Sequence, residues 1–225
     1  MKKKIVLAVI AAALVLAAAI GTTFASFNTE SENPGEATIT LNDMQVALAA
    51  APGEEERETI PEVAMPGQEV ELKKYVVENA LATQAYDIYT RVIIDKQWDG
   101  DFKDVLDAGK VRLYIDGKEL NASIVGQVIN GWFVQSADSE QVVLYYTRKL
   151  TKEAEGKYST PFIDKISFDA DMDNSYTDKA INVNITVCAV QATADSKIST
   201  QAMFAEWGAY PVIDEETGII TSIEE

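Results

Sequence analysis

Alternation dominates the middle of the chain. Tyr86, Ile88, Thr90, Val92 and Ile94 fall on one side of an extended backbone, and Ile181, Val183, Ile185 and Val187 do so with Asn182, Asn184 and Thr186 between them. Successive side chains of a strand point to opposite faces, so both stretches predict strands with one apolar face. Shorter apolar runs predict further strands at 37–41 (continuing over 44–48), 69–78, 111–115, 118–120, 123–129, 131–134, 141–148 and 162–168. Asp116-Gly117, set between two of these, is a two-residue hairpin signal. Two helices are predicted, one over 101–108 and one over 196–207 with Ile198, Ala202 and Ala205 as its apolar face. The acidic stretch 50–60 is predicted as a solvated loop. No repeat of fixed period is present. Many short strands with frequent turn signals predict an all-β fold: a two-sheet jelly-roll or Greek-key sandwich with one or two short helices.

The N-terminus has a different pattern. Lys2, Lys3 and Lys4 precede an unbroken apolar run from Ile5 to Ile20, and Thr23-Phe24-Ala25 follows. A cationic head, an apolar middle and small residues before a cut are the parts of a secretory signal peptide. The run of 16 residues falls short of the roughly 20 that span a bilayer. Cleavage is expected between Ala25 and Ser26. The expected organisation is a signal peptide over 1–25, an N-terminal arm over 26–41 and a sandwich domain over 42–225.

Charge and composition narrow the chemistry. The chain has 225 residues, 36 acidic against 19 basic, and a net charge of −17. Loss of Lys2, Lys3 and Lys4 with the signal leaves 16 basic residues and a charge of −20. Such a polyanion is repelled by nucleic acid and by anionic membranes, so neither is an expected partner after cleavage. The sequence holds no His, which removes the commonest general base and metal ligand and every Ser-His-Asp triad. The single Cys, Cys188, lies in an apolar strand and is expected as a small buried hydrophobe. Arg91, opposite Val92 and Ile94 in the clearest strand, is expected at the surface beside a local carboxylate. No catalytic residue is assigned. The many acids single out no pair for glycoside hydrolysis. Trp98, Trp132 and Trp207 are read as core or rim aromatics ahead of a sugar platform.

Asp169, Asp171 and Asp173 have the first, third and fifth spacing of a calcium loop. Asn174 stands where such a loop carries Gly, and Ala180 where it carries Glu. An EF-hand is therefore excluded. A loose calcium contact and a solvated acidic turn both remain open, and calcium is the only cofactor considered.

Several segments, taken in order, resemble one family. The signal ends Thr23-Phe24-Ala25 and the mature chain opens Ser26-Phe27-Asn28-Thr29. Met65-Pro66-Gly67-Gln68-Glu69-Val70 is followed by Tyr75-Val76-Val77-Glu78-Asn79 and by Tyr89-Thr90-Arg91-Val92. Tyr145-Tyr146-Thr147-Arg148-Lys149-Leu150 precedes Ser159-Thr160-Pro161-Phe162, and Val190-Gln191-Ala192 leads to a helix ending at Trp207. This set resembles the TasA/camelysin family of Gram-positive bacteria. The chain departs from it at Ala80-Leu81, where a Gly follows the Asn, and at Glu153-Ala154-Glu155-Gly156, where a Pro-Gly is expected.

The resemblance implies a secreted jelly-roll subunit of extracellular biofilm matrix fibres, processed by a SipW-type signal peptidase and located in the matrix or at the cell surface. Its partners would be copies of itself in a head-to-tail filament, with an anchoring or minor matrix protein beside them. Subunits would join by donor-strand exchange, the donor strand carrying Phe27, Ala37, Ile39 and Leu41. Refolding of 27–41 as the domain's own first strand is the competing reading. A monomeric surface binding module or adhesin is the alternative function. The metalloprotease activity implied by the name camelysin ranks last, because a zinc protease site is built on His ligands.

Overall fold

The computed structural model describes residues 46–53, 64–72, 74–80, 86–102 and 105–224. Within them the chain is all-β, with antiparallel sheets and a single α-helix. The strands are β1 (Val46–Ala50), β2 (Glu69–Glu71), β3 (Tyr75–Asn79), β4 (Ile88–Trp98), β5 (Val111–Ile115), β6 (Lys118–Glu119), β7 (Val128–Ile129), β8 (Trp132–Ala137), β9 (Gln141–Tyr146), β10 (Lys165–Phe168), β11 (Ile181–Gln191), β12 (Tyr210–Ile213) and β13 (Ile220–Glu224), with α1 (Ser196–Trp207) before β12.

One layer is the sheet β11-β4-β9-β8-β7. The other contains β2-β10-β5-β6 and the pair β1-β3. Residues 157–162 join these two parts along β3: Asn79 N–H donates to Lys157 O (2.9 Å) and Ser159 N–H to Val77 O (2.8 Å). The main core lies between the layers. Val92, Ile94, Trp98, Val183 and Ile185 from one side meet Val111, Leu113, Ile166 and Val77 from the other.

β4 and β11 pair over their full eleven residues, from Ile181 opposite Trp98 to Gln191 opposite Ile88. Ile181, Val183, Ile185 and Val187 face the core, as the alternation predicts. The Asp116-Gly117 turn is also as expected. Both residues have positive φ (49° and 71°), the left-handed pair that a two-residue hairpin between twisted strands requires.

Several elements differ from expectation. The strand predicted over 69–78 is two strands in different parts of the layer, because the apolar phase slips: Val70 and Leu72 are buried, and so are the adjacent Val76 and Val77. The stretch 123–129 is mostly a turn, with strand only at Val128–Ile129. The 101–108 helix is replaced by separate 3-10 turns at Gly100–Phe102 and Ala108–Lys110. The strand predicted over 131–134 extends to Ala137 through a bulge at Gln135, which returns Ala137 to the core face after Trp132 and Val134. Helix α1 has the predicted bounds but another buried face, Ser199 and Met203, while Ile198 is exposed.

Trp98 and Trp132 are core side chains at 1% and 0% exposure. Trp132 packs on Tyr146 and Phe162, and its indole N–H donates to Thr160 O (3.0 Å). Asn79 closes β3. It is 1% exposed, and its amide donates to Tyr86 O (2.9 Å) and Leu150 O (3.3 Å). Truncation of Asn79 leaves both carbonyls without that donor. Asn79→Ala is expected to lower the unfolding free energy by about 1–3 kcal/mol, read by urea titration.

Candidate functional site

The expected cleavage point (Ala25, Ser26) and donor residues Phe27, Ala37, Ile39 and Leu41 lie outside the described residues. The described residues begin with β1, the first strand after that stretch of sequence. β1 begins at Val46, pairs with β3 and lies beside β11. β11 is the edge strand of its sheet. Its outer side carries no strand ladder among the described residues, since β1 touches it without backbone pairing. An eleven-residue edge presents a row of backbone donors and acceptors suited to an added strand.

Two of the three candidate calcium residues, Asp169 and Asp173, are engaged by their own turns. Asp169 accepts from the Asp171 backbone N–H (2.8 Å) and pairs with Arg112 and Lys110. The Asp171 N–H, with the two cations behind it, holds the Asp169 carboxyl below its usual range. Asp173 caps the turn Asn174–Tyr176 by accepting from the Ser175 N–H and hydroxyl, which lowers its pKa as well. Among the described residues no three acidic or Cys side chains converge as a metal site.

Arg91 is not an exposed partner of a carboxylate. It is half-buried on the outer face of the five-stranded sheet, with its guanidinium 5.2 Å from the centre of the Trp207 ring. Nη1 donates to Trp207 O (3.4 Å) and Nη2 contacts Cys188 Sγ (3.8 Å). Trp207 ends α1, where the last carbonyls lack intrahelical donors and the dipole is negative, so a cation there is favoured. Cys188 is half-buried beside Arg91, rather than fully buried as expected. Around this contact α1, β12 and β13 cover the sheet's outer face: Met203, Ile213 and Ile220 pack on Tyr89 and Val190, and Ala209 on Phe133 and Tyr145.

A second feature is a buried lysine. Lys96 occupies an inward position of β4, in phase with Val92, Ile94 and Trp98, and is 5% exposed. Its Nζ donates to Val111 O (2.8 Å) and Ala108 O (3.4 Å). Asp107 shapes the turn that offers Ala108 O by accepting from Gly109 N–H (2.7 Å). Gly109 itself leaves no room for a side chain, because a Cβ would stand 2.9 Å from Asp107 Oδ1 and 3.2 Å from Ser139. Lys96 and Gly109 border a cleft of about 230 Å³ whose other walls include Arg112, Glu119, Asn121, Ala137 and Asp138. Burial brings the Lys96 pKa down to about 8, against the opposing pull of Asp107, Asp138 and Glu119. The signal for Lys96 was available in the sequence: a lysine on the even, apolar side of the clearest strand.

No family model, curated protein or solved structure matches the chain.

A pKa depressed by folding means that the unfolded chain holds the proton more tightly. Between about pH 8 and the ordinary lysine value of 10.5, the unfolded state therefore binds more protons, and the Lys96 contribution to stability rises with pH. Relative to Lys96→Met, the wild-type chain is expected to gain about 2–3 kcal/mol of unfolding free energy from pH 7 to pH 10. Parallel denaturation curves for the two proteins at both pH values would refute this.

Proposed function

We propose that the protein is a secreted structural subunit that polymerises into extracellular matrix fibres by strand addition, the segment 26–41 of one copy pairing with another. The observation that carries this reading is the juxtaposition at β1 and β11. The first described strand, β1, follows the segment 26–41 in sequence and lies directly beside a long edge strand that lacks a ladder partner among the described residues. The alternating Ala37, Ile39 and Leu41 have the pattern of a strand with one apolar face. The signal-like N-terminus and the resemblance to the TasA/camelysin family support export and matrix assembly. In such an arrangement each copy offers an arm at one place and an edge at another, so the contact is head-to-tail and does not close.

The test is electron microscopy of residues 26–225 and of 42–225 after concentration at moderate salt. Fibres are expected from the longer chain and none from the shorter. A monomer from both would favour the alternative of a surface binding module, and fibres from both would move the contact away from the arm.

Assembly also brings like charges together. With a charge of −20 after cleavage, copies repel, and divalent cations screen this more strongly than monovalent ones. Millimolar calcium is expected to speed fibre growth beyond sodium chloride of equal ionic strength, followed by light scattering. Equal rates would remove calcium from the proposal.

A further inference from the structure

The Lys96 amine has a geometry that its structural role does not exhaust. An ammonium group carries three N–H donors, and Lys96 has two acceptors among the described residues, Val111 O and Ala108 O. A neutral amine carries two N–H groups and one lone pair. Two carbonyl acceptors match that form, and they leave the lone pair directed away from both. The side chain borders a cleft of about 230 Å³, large enough for a small organic molecule. Lys96 is also the only charged residue among the buried polar side chains described.

We propose that Lys96 is a nucleophilic amine that captures small neutral aldehydes in this cleft as an imine. Charge selects the ligand class. Asp138 and Glu119 border the same cleft and Asp107 adds to their field, while the Arg112 guanidinium, also in the wall, is paired with Asp169. The cleft therefore has no unpaired surplus of positive charge to hold an anion, whereas a neutral carbonyl compound enters without an electrostatic penalty. The Nζ lone pair adds to the carbonyl carbon and the C=O π bond breaks. A proton passes from nitrogen to oxygen, with the Glu119 carboxylate available as relay. A second proton, taken from solvent by the carbinolamine hydroxyl, lets the C–O bond break and water leave, and the nitrogen lone pair forms the C=N bond of a protonated imine. No oxidant or reductant is consumed. A protonated imine keeps one N–H, which suffices for the shorter bond to Val111 O, and the longer one to Ala108 O is given up. The depressed basicity of Lys96 supports this role, since desolvated lysines keep a larger neutral fraction near neutral pH.

The test is reductive trapping of the purified native protein at pH 7.5 with propionaldehyde and cyanoborohydride, resolved by site in a mass spectrometer. Lys118, which is exposed in the β5–β6 hairpin, serves as the internal reference. Propylation of Lys96 is expected about tenfold faster than that of Lys118, the gain in neutral amine outweighing its lower intrinsic nucleophilicity. In folded Lys96→Arg the fast site should vanish while Lys118 labels unchanged. Equal or slower labelling of Lys96, or labelling only in urea, would overturn the proposal. The wild-type comparison decides this even if the variant does not fold.

Discussion

The five-stranded sheet is apolar on its inner face and also on one end of its outer face, and the rest of the structure answers to that constraint. Even-numbered residues of β4 face the main core, and of the odd-numbered ones Tyr89 and Arg91 face the covering formed by α1, β12 and β13, whereas Gln97 is exposed. A sheet with one wet face would need only the second layer. Here Tyr89, Phe133, Tyr145 and Val190 lie on the far side and must also be removed from water. The C-terminal hairpin and helix do this, and Arg91 fastens them at the carbonyl end of α1. The full-length pairing of β4 with β11 holds the register on both faces at once, since a slip of one residue would exchange the two apolar sets.

Much of this was legible from the chain. Period-2 alternation located β4 and β11, Asp116-Gly117 located a hairpin, and the number of strands indicated an all-β fold. What escaped detection had local physical causes. The bulge at Gln135 changes the phase of β8 without changing its composition. Adjacent buried valines at 76 and 77 mark a strand covered on both sides, which a search for one apolar face misreads. The buried side of α1 is set by Ser199, whose hydroxyl accepts from Thr193 N–H (2.9 Å), so a polar residue occupies the position that an apolar stripe would claim.

The candidate sites were less legible than the fold. The alternation puts Arg91 on the correct face, but that face reads as wet because the covering elements are about a hundred residues downstream. Lys96 is hard to recognise because a charged residue reads as exposed until its phase is compared with its neighbours. The acidic run at 169–173 misleads in the opposite direction. Its spacing suggests a shared ligand, whereas Asp169 and Asp173 each accept from the backbone two residues ahead, the ordinary behaviour of Asp in turns.

Edge and charge together suggest how one chain could remain soluble and still be able to assemble. A long edge strand is a hazard for any protein, because its backbone groups pair with whatever strand approaches. High net negative charge opposes that approach at long range, and it weakens as salt or divalent ions shorten the screening length. The backbone bonds of a strand ladder act only at contact. Repulsion therefore governs whether two copies meet, and the alternation of the incoming strand governs whether they stay. In the proposed assembly the acidity of the chain would act as a control on association rate, and specificity would reside in the segment 26–41.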